Sequence, residues 1–402
     1  ATISAFAVGA ALFKWQPSNL LTAAPWLLLW FFSPLIGWLL TGRRKEKKLQ
    51  DILPGRDIHY LRRITRLTWR FFDDFVTAET SWLPPDNYQV SHQDQLAMRT
   101  SPTNIGFWML STLAAKDSGY LTQDRIHDKL CATMHSLEKL EKYEGHLLNW
   151  YDIGTLTPLE PRYVSTVDSG NFLGALWTLQ QGLADQLNGE IIDQSVFSGL
   201  YDTGQLLQQA IKAEIDCRPA TRELSQLLAR LEKPPRRTVD QLSLLRQGQQ
   251  RAEKIGHLIL PVVPETSEAA YWTTTFTSEF AAWLETADRY LGWVEILGQE
   301  QKNDLARAAI RNLSEIEDDL AEAPSLRNLS RGISASVPLL TLISEHAHSE
   351  SESLAEWAKE VLSAFTIAQR NARKYRERHE QLVAGIRKLA GEINLKFLFD
   401  AE

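Results

Sequence analysis

From residue 15 to residue 42 the chain carries no charged side chain, and 19–41 consists mostly of Leu, Trp, Phe, Ala and Ile. At about 1.5 Å per helical residue, such a run exceeds the roughly 30 Å hydrocarbon core of a bilayer, so it predicts a transmembrane helix. Pro34 and Gly37 are tolerated in helices of this kind. The preceding residues 1–13 are apolar too, with no initiator Met and no basic leader. That argues for a membrane helix cut from a longer chain rather than for a secretory signal. Gly42-Arg-Arg-Lys-Glu-Lys-Lys48 follows at once. By the positive-inside tendency it puts the residues after it in the cytoplasm; the alternative is a solvated linker whose basic residues meet lipid headgroups.

Beyond this linker the pattern is helical almost throughout, which predicts an all-α fold. A chain of 402 residues exceeds one ordinary core, so two or more units are expected. Leu61, Ile64, Leu67, Thr68, Phe71, Phe72 and Phe75 recur at three- and four-residue spacing, predicting a helix over 58–76 with one broad apolar stripe. Helices are predicted next over 104–118, with Ser101 capping, Pro102 in the first turn and Gly119 at the exit, then over 123–143 and 172–186. From Asn188 the character turns charged and amphipathic, with breaks at Lys233-Pro-Pro-Arg-Arg237 and Pro261-Val-Val-Pro264. Trp272, Phe276, Phe280, Trp283 and Tyr290 form a stripe read as bundle core rather than as a partner or glycan groove. The stretch 355–389 reads as a long amphipathic helix, and Ile393-Asn-Leu-Lys-Phe-Leu-Phe399 as an apolar run with nothing after it to pack on, again the mark of a cut chain.

Three stretches between these helices carry the chemistry: Arg99-Thr-Ser-Pro-Thr-Asn-Ile-Gly-Phe107, Asn149-Trp-Tyr-Asp152 and Tyr163-Val-Ser-Thr-Val-Asp-Ser-Gly-Asn171. They combine amides, hydroxyls, carboxylates and aromatic rings, a mixture suited to a sugar, whose hydroxyls meet polar forks and whose C–H face meets rings. Trp150 or Tyr151 is placed to stack, and Asp152 and Asp168 to accept from vicinal hydroxyls. The competing roles are structural: Asp168 or Ser169 as N-cap of a helix starting near Phe172, and Asp152 as the closer of a turn. Glu144, Asp152, Glu160 and Asp168 are possible members of a glycosidase pair, but spacing along the chain singles out none.

Other chemistries lack support. The net charge of −7 argues against a nucleic-acid partner. Cys131, His135 and His146 have no fourth ligand for a metal, so no metal site is assigned. No phosphate loop, Gly-x-Gly-x-x-Gly, His-Glu-x-x-His or Gly-x-Ser-x-Gly occurs, and two cysteines give no disulfide framework.

The ordered series Trp69-Arg-Phe-Phe-Asp73, Leu83-Pro-Pro-Asp-Asn87, Arg99-Thr-Ser-Pro-Thr-Asn-Ile-Gly106, Asn149-Trp-Tyr-Asp152, Pro158-Leu-Glu-Pro161 and Tyr163-Val-Ser-Thr-Val-Asp-Ser-Gly-Asn171 resembles the cyclic β-1,2-glucan synthases, over about 58–187. Phe397-Leu-Phe-Asp400 resembles the family's entry into the second half of its central domain. The resemblance implies a large bacterial inner-membrane protein in which a transferase using UDP-glucose and a divalent metal is joined to a glycoamylase-like (α/α)6 domain that closes the glucan ring, with a phosphorylase-like domain beyond. It implies membrane helices and linker over 1–48, the first half of the (α/α)6 toroid over 49–187, a helical insertion over 188–392 and the start of the second half over 393–402, and the basic cluster turns the soluble part towards the cytoplasm.

The family's catalytic glutamates belong to motifs, among them Ser-Met-Phe-Glu-Tyr, that are absent here, and so are the transferase motifs. What carries over is a wall of glucan contacts at Arg99, Thr100, Asn104, Asn149, Trp150, Asp152, Asp168 and Asn171, with no catalytic residue, no cofactor of its own, and the glucan chain, the lipid bilayer and the rest of the polypeptide as partners. The alternative is a non-catalytic, membrane-tethered glycan-binding or scaffold module.

Overall fold

A computed structural model describes residues 2–41, 53–90, 95–299, 318–319, 321–346 and 352–398. The basic cluster at 42–48 and the end of the chain from 399 lie outside the described residues. Of the described residues 76% are helical, as an all-α class requires, and the chain divides into two compact units, Ala1–Leu61 and Arg62–Glu402.

In the first unit, helix α1 (Thr2–Trp15) turns through Pro17–Asn19 into α2 (Leu20–Thr41). The two pair as a hairpin: Gly9 faces Leu27 on the partner helix, and the Thr2 hydroxyl donates to the Phe31 carbonyl at 3.1 Å. The span Pro17–Leu39 is long and apolar enough to cross a membrane. Its 22-residue helix α2 extends about 33 Å. Trp26, Trp38 and Leu39 stand exposed on it, as lipid-facing side chains would.

The second unit begins within α3 (Gly55–Phe75). The apolar stripe read from the sequence is not its buried face: Ile64 and Leu67 are exposed, while Arg66 and Trp69 are buried. The reason is an ion pair. Arg66 donates to Glu279 at 2.9 Å and to the Thr203 hydroxyl at 2.9 Å, and its guanidinium lies over the Tyr120 and Trp272 rings. A buried guanidinium is tolerated only when paired in this way, and the pairing fixes which side of the helix turns inward.

Next come α4 (Pro102–Asp117), α5 (Gln123–Lys139) and α6 (Thr166–Gln186). Ser101 caps α4 as predicted, its hydroxyl accepting from the Asn104 N–H at 3.2 Å, with Pro102 opening the first turn. Helices α4 and α6 run side by side in the same direction. Gly106 meets Ala175 near one end and Gly182 meets Leu113 near the other, so small residues let the two backbones approach closely. Helix α5 ends at Lys139, earlier than its periodicity suggests, because Lys142–Tyr143 turns back on His146–Leu147 as a short hairpin.

The chain continues through α7 (Gln194–Glu214), α8 (Arg218–Glu232), α9 (Thr238–Ile259), α10 (Glu268–Gln299), α11 (Leu326–Arg331), α12 (Val337–His346) and the 41-residue α13 (Glu352–Glu392). The aromatic stripe from Trp272 to Tyr290 is buried and belongs to the core of this bundle. Two apolar clusters fill the unit, one from Trp69 to Leu183 and the other from Leu187 to Tyr375. The last turns of α13 return to the first cluster with Leu382, Ile386 and Leu389. Ile393 packs there too, and Asn394 bonds back to Glu144, so the start of the closing apolar run does have a surface to pack on.

Gly119 joins the first cluster to the bundle. Its φ of 85° is left-handed, its carbonyl accepts from the Trp283 indole at 3.2 Å, and a Cβ there would lie 2.0 Å from the Ser195 carbonyl oxygen. Gly119→Ala is therefore expected to cost more than about 2 kcal/mol, read as a lowered denaturant midpoint, because strain adds to a backbone clash that no rotamer relieves.

Burial pushes the imidazoles of His127 and His379 below their ordinary 6.5 and pushes the Glu279 carboxyl up from 4.5 to about 7. The folded state thus leaves both histidines neutral where the unfolded chain protonates them, so their contribution is full above about pH 6.5 and falls as the pH drops below it. Unfolding midpoints measured from pH 5 to 8 are expected to fall less steeply on the acid side in His379→Gln, with His127 supplying the part that remains.

Candidate functional site

The three polar stretches meet at the N-terminal ends of α4 and α6. The short strand Arg99–Thr100 pairs antiparallel with Tyr151–Asp152, which sets Arg99 across from Asp152 and Thr100 across from Tyr151. The Asn149 N–H donates to the Tyr163 carbonyl at 2.9 Å, bringing in the third stretch. Between the helix ends, the Thr103 hydroxyl donates to Asp168 at 2.5 Å and accepts from the Asn171 amide at 3.2 Å.

Each side chain then has a definite place. Arg99 is half-exposed, its guanidinium 4.6 Å from the centre of the half-buried Trp150 ring, and it donates to Asp86 from Nε at 3.2 Å and from Nη2 at 3.0 Å. The Asn104 amide donates to the other Asp86 oxygen at 3.2 Å. Asn171 is exposed at the rim and Asp168 is half-buried. Thr100 and Asn149 are buried, and the Thr100 hydroxyl has no partner among the described groups, so these two form the floor beneath the rim rather than its surface.

Asp152 closes a turn. Its Oδ1 accepts from the Gly154 N–H at 3.0 Å, the Thr155 N–H at 2.7 Å and the Thr155 hydroxyl at 3.0 Å. These bonds, the Thr155 N–H first, hold its carboxyl below the usual carboxylate range. That is the opposite of what a general acid requires. Tyr151 is fully buried; its hydroxyl accepts from the Leu148 N–H and donates to the Glu141 carbonyl, both at 2.6 Å, and burial pushes its pKa up to about 12. It is therefore a strut of the hairpin and offers no face to a ligand.

Helix α6 starts at Thr166, six residues ahead of the expected Phe172, and its N-cap is Ser165, whose hydroxyl accepts from the Asp168 N–H at 3.2 Å. Asp168 and Ser169 are thus not caps. Asp168 sits in the first turn, where the helix dipole favours a carboxylate and leaves its oxygens to reach Thr103. Ser169 turns inward and pairs with His146 Nδ1 at 2.8 Å. The other nitrogen of that ring donates to the Asn394 carbonyl at 2.8 Å, so the imidazole is held from both sides.

Two members of the rim were not singled out from the sequence as contacts: Asp86, in the Leu83-Pro-Pro-Asp-Asn87 motif, and Thr103, one residue before Asn104. Periodicity carries no signal for either; the paired prolines ahead of Asp86 were the available hint, since they stiffen the loop that aims it. Among the described residues no group of three or more metal-ligating side chains occurs, and Cys131 lies beside the His127 ring, 3.6 Å from its Nδ1.

No family model matches the chain. It is 38% identical over 207 residues to the cyclic β-(1,2)-glucan synthase NdvB of Rhizobium meliloti (strain 1021), a stretch that makes up 51% of this chain and 7% of that protein. The chain thus spans only a small part of the length of this relative. Over that shared stretch, its sequence is related to the cyclic β-1,2-glucan synthase family.

Proposed function

We propose that this chain is the part of a cyclic β-1,2-glucan synthase that anchors the protein in the membrane and supplies the glucan-binding wall of its ring-closing domain. The observation that carries the reading is the rim itself. The three polar stretches and the loop that carries Asp86 converge on one surface holding an aromatic ring, a guanidinium, two amides and two carboxylates. Hydroxyl-rich ligands with an apolar face match that set. Within it, Arg99, Asn104, Trp150, Asp168 and Asn171 are the contacts, while Thr100, Asn149 and Asp152 shape the backbone that carries them.

The acid chemistry of ring closure would then come from other parts of the polypeptide, as would the transfer of glucose from UDP-glucose with its divalent metal. The apolar span of α2 supports an anchor in the bacterial inner membrane, and the basic cluster at 42–48 supports a cytoplasmic position for the helices that follow. A scaffold that holds glycan without chemistry uses the same rim, and product analysis separates the two readings.

In the full-length protein, Trp150→Ala is expected to lower cyclic product about tenfold while linear β-1,2-glucan continues to form, because losing an aromatic contact worth about 1.4 kcal/mol is a factor of ten in binding. An unchanged ratio of cyclic to linear product, measured by chromatography of the glucans, removes the rim from ring closure. A reporter fused after Lys48 is expected to behave as cytoplasmic; periplasmic activity would overturn the orientation.

A further inference from the structure

We propose that Asp86 is the positioning residue of the rim: it presets the Arg99–Trp150 pair and the Asn104 amide for a glucan without touching the sugar. This rests on the glucan-binding reading given above. One carboxylate collects four donors here. Arg99 Nε and Nη2 and the Asn87 amide all reach Oδ2, at 3.2, 3.0 and 3.1 Å, and the Asn104 amide reaches Oδ1 at 3.2 Å. With its oxygens engaged and its side chain only 19% exposed, Asp86 has little left to offer a ligand. Its effect is exerted through the groups it holds.

The loop that presents Asp86 is itself held. Leu83, Pro84 and Pro85 are buried, the prolines fix φ, and the backbone is tied to the next segment by Asp86 N–H to Ala97 O at 3.2 Å and Ala97 N–H to Asn87 O at 2.9 Å. From this fixed point the carboxylate reaches two arms of the rim. One is Arg99, a long side chain which would otherwise sample many rotamers and which instead lies with its guanidinium 4.6 Å from the Trp150 ring centre. The other is Asn104, in the first turn of α4 and next to Thr103, which carries the link to Asp168 and Asn171. A side chain already held in its binding rotamer loses no further freedom when the ligand arrives, and that is the source of the affinity gained from Asp86.

The test measures affinity of the full-length protein for a linear β-1,2-glucooligosaccharide by calorimetry, with Asp86→Asn, Asp86→Ala, Arg99→Ala, their double variants and Trp150→Ala. Asp86→Asn keeps the shape and guards against loss of fold in the alanine variant. Each Asp86 and Arg99 single variant is expected to bind about tenfold more weakly, and Asp86→Asn/Arg99→Ala no more than about twofold more weakly than the worse single, since both changes break one unit. In the ligand-free protein, the emission assigned to Trp150 by difference from a Trp150→Phe background is expected to become more accessible to acrylamide in Asp86→Ala. Multiplying losses in the double variant, or unchanged quenching, overturns the positioning role. Unchanged affinity in both Asp86 variants beside a loss in Trp150→Ala overturns that role and leaves the glucan reading intact. Unchanged affinity in all of them overturns the glucan reading as well.

Discussion

Helix α13 is the member on which the second unit depends, because its two ends serve different apolar clusters. Trp357, Val361 and Phe365 pack into the bundle, and further along the same helix Leu382, Ile386 and Leu389 pack beneath the rim. Between these halves the helix is fixed by polar contacts whose geometry tolerates little sliding. The Tyr375 hydroxyl donates to the Gln123 carbonyl at 3.2 Å, Arg378 donates to Asp128 at 2.8 Å, and His379 Nε2 pairs with the Leu183 carbonyl at 3.0 Å. Apolar packing alone would permit a shift of one turn; hydrogen bonds to a buried tyrosine and a buried histidine do not, because each shifted group would be stranded without a partner. The register of α13 thereby sets where residues 393 and 394 arrive, and so which carbonyl meets His146 behind the hairpin.

The rim is assembled by backbone first and side chains second. The short pairing of Arg99–Thr100 with Tyr151–Asp152 and the bond from Asn149 to Tyr163 bring the segments together without using a single functional side chain. Two carboxylates then organise what is left exposed, Asp86 holding Arg99 and Asn104, and Asp168 holding Thr103 with Asn171 attached to it. Because Thr103 and Asn104 are neighbours in the first turn of α4, the two networks share one helix end. The parallel course of α4 and α6 puts both helix starts at this rim, and their positive dipole ends favour the carboxylate at Asp168.

Residues with a local cause were legible in the sequence. Ser101 and Pro102 announce the start of α4, and the exit at Gly119 follows from a φ that few other residues adopt. The convergence of the three polar stretches was expected from their composition and the resemblance. What the sequence did not disclose depends on partners far along the chain. The inward side of α3 is set by Glu279, 213 residues beyond Arg66, and an ion pair across that distance outweighs a stripe of leucine and isoleucine read from spacing alone. The early start of α6 was missed because Ser165 and Ser169 look alike as caps, and only the inward pull of His146 on Ser169 distinguishes them.

Carboxylates occupy two contrasting environments within this unit. A general acid needs a carboxyl kept protonated near neutrality, which takes burial with few hydrogen-bond donors. Glu279 has that burial, yet it faces Arg66 inside the bundle and holds α3 in place. At the rim the balance is reversed: Asp152 is surrounded by donors that favour its charged form, and Asp86 and Asp168 each accept from neighbouring side chains. Oxygens committed in this way keep loops and amides in place, so the same side chains that fix the backbone of the rim also fix the groups exposed on it.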